Sequence, residues 1–202
     1  LRMRPVSKTF LRKKHLEIRR SLPPETVLQN SELIVSTLIQ FIQKLSPLHI
    51  CSYLAYDNEP DLSSLPRKMA NIKFYYPVTT DKHNMSFFRM GPDDQTTRDA
   101  REIPVPAQKD FPLPDSLLTS RLLFLIPGIC FSEDGARIGS GCGYYDRFLA
   151  QFDRDNRPLL IGIAHDCQIA HEDWEEEKND IPMDHIITEK RIMHREASNE
   201  TL

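Results

Sequence analysis

The sequence predicts an α/β protein, built as a single three-layer α/β/α domain with a mostly parallel central sheet. The expected strands are continuous apolar runs, such as Leu122–Ile126 and Leu159–Ala164, which are typical of strands buried on both faces. Stretches with helical periodicity alternate with these runs, as they do in parallel sheets covered by helices. The chain has 202 residues, 40% of them hydrophobic, so we expect one core and one domain over residues 1–202.

Two helices are expected at the N-terminus, forming an arm over about residues 7–44. In the first, residues 7–20, the side chains of Phe10, Leu11 and Ile18 can share an apolar face. The prolines at 23 and 24 break the chain, and a second amphipathic helix follows to about residue 44. Its apolar stripe consists of Val27, Ile34, Leu38, Ile42 and Leu45.

Lys8 and Arg12 are four residues apart on the first helix and therefore point the same way. Two like charges at this spacing repel mildly, and a solvated basic face is the simpler interpretation. The alternative is a pair of cations that converge on a phosphate chain. The residues alone leave both interpretations open.

The other elements follow from short apolar runs and from the placement of proline. The segment Ile103–Pro114 contains four prolines and is expected to be irregular, while the polar stretch Gly91–Ala100 is typical of a loop. The polar tail from about Arg191 is expected to fray. The remaining expected strands are His49–Leu54, Ile72–Tyr76, Met85–Arg89 and Ile186–Thr188.

A glycine-rich loop follows the apolar strand that stops at Pro127. It runs over residues 137–143, RIGSGCG, and leads into a short helix that begins at Tyr144. Glycine tolerates positive φ and lacks Cβ, so successive N–H groups can converge on an anion near a helix N-terminus. The spacing fits neither the GxxxxGK[ST] nor the GxGxxG pattern, and a structural turn explains it equally well. Arg137 can add a bond to phosphate, and Asp146 can hold a divalent cation.

Composition excludes several classes of function. The net charge of −3 does not provide the basic surface that nucleic-acid-binding proteins usually have. No apolar run is long enough to span a membrane, and none has the pattern of a secretory signal. The four cysteines are far apart and form no CxxC pair, which predicts reduced thiols in the cytoplasm. Cys142 in the glycine loop is either a filler or a nucleophile, and the sequence favours the filler because no histidine stands near it.

A zinc site is conceivable at residues 165–168, HDCQ, which follow a predicted strand. We expect none there, because no second group at ligand spacing supports it.

Several pieces of the chain, in order, resemble the 5-formyltetrahydrofolate cyclo-ligase family, also called methenyltetrahydrofolate synthetase. The longest is DGxRxGxGxGYYDR at residues 134–147, preceded by an apolar strand and Pro-Gly. The others are Lys8 with Arg12 as K-x-x-x-R, Leu54 with Glu59 five residues later, the Gln168 region, and Asp-x-Ile-Ile-Thr-Glu from Asp184. Their combined order and spacing cover nearly the whole chain.

The resemblance implies an enzyme that converts 5-formyltetrahydrofolate to 5,10-methenyltetrahydrofolate with ATP and Mg²⁺, releasing ADP and phosphate. It implies catalytic roles for Lys8, Arg137, Tyr144 and Asp146. It places Mg²⁺ on Asp146 and Asp184, although a turn cap is the simpler interpretation of Asp184. It implies ATP contacts from Lys8, Arg12, Arg137, Ile138, Gly139, Ser140, Gly141, Cys142, Gly143, Tyr144 and Tyr145. It implies folate contacts from Leu54, Glu59, Ser140, Gly141, Cys142, Gly143 and Tyr144.

One stretch departs from the family pattern. The family has an aromatic residue and an amide or acid near I-x-x-P beside the substrate, whereas residues 101–106 read REIPVP, without tryptophan. This departure leaves a catalytically silent nucleotide- or folate-binding regulator as one alternative. A sugar-phosphate isomerase on a similar sheet is another, and it would need a general base but no ATP. The expected partners are small molecules only, and the expected assembly state is a monomer.

Overall fold

A seven-stranded sheet forms the centre of the molecule. The structure is a computed structural model that describes residues 5–117, 122–152 and 157–195. Five neighbouring strands run parallel, and an antiparallel strand closes each edge, so the predicted mostly parallel sheet is confirmed. In spatial order the strands are β11 (Ile192–His194), β10 (His185–Ile187), β9 (Leu159–Ile163), β6 (Leu122–Pro127), β1 (His49–Cys51), β2 (Lys73–Thr79) and β3 (Met85–Arg89).

The strand order reverses between β1 and β6. From β1 the chain proceeds to β2 on one side, whereas from β6 it proceeds to β9 and β10 on the other. The loops that leave the carboxyl ends of these two neighbouring strands therefore diverge and open a crevice between them. In open α/β sheets, this is where ligands bind.

Helices and apolar loops cover both faces of the sheet. Helix α2 (Pro24–Leu45) buries Ile34, Leu38 and Ile42 against one face, together with the short helix α3 (Leu65–Lys68). Its stripe ends at Ile42, because Leu45 is largely exposed. Helix α4 (Tyr144–Leu149) packs on the opposite face. No helix in the described ranges is long and apolar enough to cross a bilayer.

The N-terminal helix α1 (Lys8–Arg20) begins at the cap residue Ser7 and packs on the carboxyl rim of the sheet rather than on a face. Its buried residues are Leu11, His15 and Arg19, four apart, while Phe10 is 56% exposed. The prediction that Phe10 belongs to the apolar face is therefore wrong. The buried face of α1 packs on a small hairpin formed by β7 (Cys130–Phe131) and β8 (Arg137–Ile138). This face is partly polar, since it includes His15 and Arg19.

The proline-rich segment contains a regular element that the sequence did not predict. Strand β4 (Thr96–Arg98) pairs antiparallel with β5 (Pro104–Pro106), forming a two-stranded ribbon. The flanking bonds from Asp99 N to Ile103 O and from Ala107 N to Gln95 O show that odd-numbered residues of β5 face the partner strand. Both prolines therefore point their nitrogens outward, where a missing N–H costs no hydrogen bond.

Two further boundaries differ from the prediction. Strand β1 ends at Cys51 instead of Leu54, because the chain turns away after Ser52 N bonds to Tyr75 O. The described part of the polar tail, up to Arg195, does not fray, since β11 pairs with β10 as an edge strand; residues 196–202 lie outside the described residues. The four cysteines are free thiols, and Cys51 and Cys130 are buried as core filler.

Candidate active site

A cleft of about 810 Å³ lies at the strand reversal. It is lined by helix α1, the glycine loop, the loop after β1 on its floor, and the β4–β5 ribbon, whose Arg101 lies 5.1 Å from the ring centroid of Tyr144. Every candidate site residue except Asp184 contributes to this lining. They are Lys8, Arg12, Leu54, Glu59, Arg137, Ile138, Gly139, Ser140, Gly141, Cys142, Gly143, Tyr144, Tyr145 and Asp146.

The glycine loop presents a run of unused backbone donors to the cleft. Gly141 and Gly143 have φ of +94° and +65°, conformations that an L side chain strains to adopt. From Gly139 to Asp146 the described part of the chain supplies no acceptor for the backbone N–H groups. Unpartnered backbone N–H groups in a loop that lines a cleft can bind an anion.

Arg12 braces this loop from α1. Its Nε donates to the carbonyl of Gly139 at 2.8 Å, and its guanidinium carbon would lie 3.5 Å from a Cβ at Gly141. The arginine therefore packs over the glycine backbone and places a positive charge beside the free N–H groups.

Lys8, one turn earlier on α1, reaches the same side of the cleft. Its Nζ donates to Asp180 at 2.5 Å and to Glu177 at 3.1 Å. Burial disfavours the ammonium, but the hydrogen bonds and charges of Asp180 and Glu177 prevail and raise the pKa of Lys8. Lys8 is thus a cation throughout the physiological range.

Arg137 and Asp146 form an ion pair beneath the glycine loop. Nη2 of Arg137 lies 3.1 and 3.2 Å from the two carboxylate oxygens of Asp146, and the Arg137 side chain is only 6% exposed. The guanidinium also lies over the ring of Tyr145, 5.4 Å from its centroid. The Nε of Arg137 and the hydroxyl of Tyr145 are buried without a hydrogen-bond partner in the described residues, so the site holds unused donors.

Glu59 lies on the floor of the cleft, in the loop after β1. Burial raises the pKa of Glu59 to about 7, against the opposing effects of the Arg19 charge and a hydrogen bond from Tyr56 N. The carboxyl group therefore changes its ionisation near neutrality.

Arg19 is the main site residue that the sequence reasoning missed. Its side chain is 4% exposed, and Nη1 lies 3.5 Å from Glu59 Oε1 and 3.2 Å from the carbonyl oxygen of Gly128. Nη2 lies 3.4 Å from Asp57, which also binds Arg20. The available signal was its position eleven residues after Lys8, which puts both cations on one side of the helix.

The stretch Arg101–Pro106, where the sequence departs from the family pattern, also reaches the cleft. Arg101, Ile103, Pro104 and Val105 line it from the ribbon side, and the guanidinium carbon of Arg101 lies 5.1 Å from the ring centroid of Tyr144. The family resemblance placed the matching segment beside the substrate, whereas the residues alone gave no sign that it folds over the cleft.

Gln168 and His165 do not line the cleft but bond to segments that do or that adjoin it. Buried Gln168 donates to the carbonyls of Gly128 and Ile129 at 2.8 and 2.9 Å, which holds the turn after β6 in place. His165 contacts Asn30 and the carbonyl of Asn58, each at 3.1 Å. In the ranges that the structure describes, no group of three His, Cys, Asp or Glu side chains could hold a metal ion.

Asp184 lies away from the cleft. It precedes β10 and so sits at the amino end of a parallel strand, whereas the cleft is at the carboxyl ends. Arg157 binds both carboxylate oxygens, and Leu160 N donates to Oδ2 at 2.9 Å. The structure therefore does not bring Asp184 and Asp146 together, because Asp146 lines the cleft and Asp184 lies at the opposite end of the sheet.

The chain is similar in sequence to proteins of one known family. A model of the 5-formyltetrahydrofolate cyclo-ligase family matches residues 4–189. The 5-formyltetrahydrofolate cyclo-ligase of Escherichia coli K12 is 28% identical over 183 residues, covering 86% of this chain and 96% of its own.

Two solved structures of 5,10-methenyltetrahydrofolate synthetases share the fold. The Aquifex aeolicus protein superposes with a TM-score of 0.76 at 25% identity, covering 96% of this chain and 99% of its own. The Mycoplasma pneumoniae protein gives a TM-score of 0.71 at 26% identity, covering 91% of this chain and 99% of its own.

Proposed function

The chain belongs to the 5-formyltetrahydrofolate cyclo-ligase family, and on this basis we propose that it converts 5-formyltetrahydrofolate to 5,10-methenyltetrahydrofolate in an ATP- and Mg²⁺-dependent reaction. The products besides the methenyl compound are ADP and phosphate. The observation that carries the proposal is the row of unpartnered N–H groups from Gly139 to Asp146, with Arg12 packed against it. Backbone donors beside a fixed cation suit a polyphosphate chain.

ATP binds along the α1 side of the cleft in this proposal. The glycine-loop N–H groups and Arg12 hold phosphate oxygens, and Lys8 approaches the same chain from the next turn of the helix. Lys8 exchanges part of its ion pair with Asp180 for the phosphate, so its positive charge is stabilised before and after binding.

Mg²⁺ fits at Asp146 with one protein carboxylate. This ion is commonly held by one or two carboxylates together with substrate phosphates and water. Asp146 lines the cleft together with Arg137, its present partner, whose guanidinium can exchange the carboxylate for phosphate oxygens when the ion binds. When bound, the ion neutralises charge on the transferring phosphoryl group.

The pterin end of the folate binds at the floor of the cleft. The Glu59 carboxylate accepts from ring N–H donors, Leu54 supplies apolar contact, and Tyr144 lies toward the ribbon. The protein's task is then to hold the formyl oxygen in line with the γ-phosphate.

The reaction proceeds by two substitutions. The formyl oxygen attacks the γ-phosphorus, the bond to ADP breaks, and a poor leaving group becomes a phosphate ester. N10 then attacks the formyl carbon, loses its proton, and phosphate departs to leave the methenyl ring. Phosphoryl transfer asks the protein mainly for positioning and charge neutralisation, which Lys8, Arg12 and Arg137 supply.

The test is the absorbance of the methenyl product after the purified protein is mixed with 5-formyltetrahydrofolate. We expect a rise only when both ATP and Mg²⁺ are present. ATP binding without any product would instead identify a silent regulator, and product formation without ATP would contradict the proposed mechanism.

A further inference from the structure

Two arginines contact the ring of Tyr144 at the mouth of the cleft. The guanidinium carbons of Arg101 and Arg147 lie 5.1 and 5.4 Å from the ring centroid, and the Tyr144 hydroxyl donates to the carbonyl of Asp81 at 3.2 Å. These contacts fix the ring, because a cation over an aromatic face is attracted by its quadrupole. The mouth therefore has a defined geometry before any ligand binds.

The two arginines differ in which of their nitrogens are without a hydrogen-bond partner. Arg147 uses Nε on the carbonyl of His83 and Nη2 on the carbonyl of Cys142, at 2.8 and 2.7 Å, so it ties the glycine loop to the β2–β3 turn. Arg101 uses only Nη2, on Thr79 and Asp99 at 3.1 and 3.2 Å. Its Nε and Nη1 have no partner in the described part of the protein, and its side chain is 40% exposed.

The ribbon holds Arg101 at its tip in a preformed turn. Oδ1 of Asp99 accepts from the backbone N–H of Arg101 at 2.8 Å and of Ile103 at 3.0 Å, and Glu102 has a φ of +61°. The guanidinium is thus presented to the cleft at a low entropic cost. A preorganised group with free donors is suited to binding a ligand.

The ligand group that fits Arg101 is a carboxylate. In the proposed function, phosphate is bound by the donors of α1 and the glycine loop, and the pterin by Glu59 in the loop after β1. The remaining ionised part of the proposed substrate is its glutamate end, which carries two carboxylates. The unpartnered Nη1 of Arg101 can donate a charge-assisted hydrogen bond to a carboxylate oxygen, while Nη2 keeps its bonds to Thr79 and Asp99.

We propose that Arg101 binds a carboxylate of the glutamate end of the folate and so determines the enzyme's preference for substrates that carry this charge. The inference rests on the proposed function, because it takes the folate as the substrate. It differs from a role in stacking alone, since stacking on the aryl ring of the folate would not depend on the charge of the glutamate.

The test compares two ligands and three proteins in a binding titration without ATP. The ligands are 5-formyltetrahydrofolate and its diamide, in which both glutamate carboxylates are carboxamides. The proteins are the wild type, Arg101→Gln and, as a control, Arg67→Gln, which removes an exposed arginine that pairs with Asp93 outside the cleft.

We expect the wild type and Arg67→Gln to bind the parent compound about tenfold more tightly than the diamide. In Arg101→Gln this ratio should fall to within about twofold. The proposal is overturned if Arg101→Gln retains the wild-type ratio, or if the wild type binds both ligands equally. Failure of the proposed function is a separate result, namely no methenyl product from the wild type with Mg-ATP.

Discussion

Nη1 of Arg19 lies 3.5 Å from Oε1 of Glu59 and 3.2 Å from the carbonyl oxygen of Gly128. One buried guanidinium thus joins α1, the loop after β1 and the turn after β6, which are the three segments that meet at the floor of the cleft. Breaking such a buried pair leaves an uncompensated charge. Arg19 therefore positions Glu59 and also lowers the pKa of its carboxyl group relative to burial alone.

The first prediction concerns the pH dependence of folate binding. In the proposed function the carboxylate form of Glu59 binds the pterin, and the pKa of about 7 means that the ionised fraction grows about tenfold between pH 6 and pH 8. The affinity for 5-formyltetrahydrofolate should rise over the same range. Glu59→Gln should bind weakly with a flat profile, and a wild-type profile without an inflection near pH 7 would contradict the ionic role of Glu59.

The second prediction concerns Arg19→Gln. Removing the positive charge should raise the pKa of Glu59 further, so the inflection in folate binding should move to higher pH. Arg20→Gln is the matched control, because Arg20 is exposed and binds Asp57 without contacting Glu59. Measuring folate affinity against pH in both variants shows whether the inflection depends on the arginine that contacts Glu59. An unchanged inflection in Arg19→Gln would show that Arg19 does not set the ionisation of Glu59.

The third prediction concerns Asp146→Asn. The amide keeps an acceptor for Arg137 but removes the charge proposed to hold Mg²⁺. Turnover should fall at least about hundredfold, and half-maximal activity should require more Mg²⁺. The thermal unfolding temperature should stay close to that of the wild type. Unchanged Mg²⁺ dependence would exclude a metal role for Asp146.

The fourth prediction concerns Gly141→Ala. With φ at +94°, an alanine here is strained by about 1–3 kcal/mol, although its Cβ would meet Arg12 at an ordinary 3.5 Å. The variant should lose stability in denaturant unfolding and bind ATP about tenfold more weakly, since the loop must move to relieve strain. Gly91→Ala is the control, because its Cβ would meet only Asp94 at 3.4 Å. If Gly141→Ala and Gly91→Ala have the same free energy of unfolding and the same ATP affinity, the strain argument is contradicted.

The fifth prediction concerns stability in acid. Burial lowers the pKa of four histidines, so the folded chain resists proton uptake that the unfolded chain begins near pH 6.5. The free energy of unfolding should therefore fall between pH 7 and pH 5. Glu59 acts in the opposite direction, so the measurement is best made in Glu59→Gln; a flat profile there would contradict the prediction. The histidines are His15, His49, His165 and His185.

The central strands could be predicted because each is a continuous apolar run, as in Leu122–Pro127. The β4–β5 ribbon and β11 could not, because each of these strands is only three residues long and its pairing depends on which chain segment lies beside it. The β7–β8 hairpin was missed for the same reason.

The residues of the candidate site likewise fall into those that local sequence predicts and those that depend on tertiary structure. The positions of Lys8, Arg12 and the glycine loop follow from local spacing, and the structure brings them to one cleft. Arg19 and Arg101 depend on tertiary structure, since one requires the buried face of α1 and the other the fold of the ribbon over the cleft. Asp184 lies apart from the cleft because it precedes β10 at the amino end of the parallel strands; the sequence predicted this strand but not its direction in the sheet.

The most direct test of the central claim is the stoichiometry of coupling. In one reaction mixture with limiting 5-formyltetrahydrofolate and excess Mg-ATP, ADP and the methenyl product are quantified together. The proposed mechanism predicts one ADP for each methenyl ring formed and no ADP release above background when the folate is omitted. Methenyl formation without ADP, or equal ADP release without folate, would contradict phosphorylation of the formyl oxygen as the step that drives ring closure.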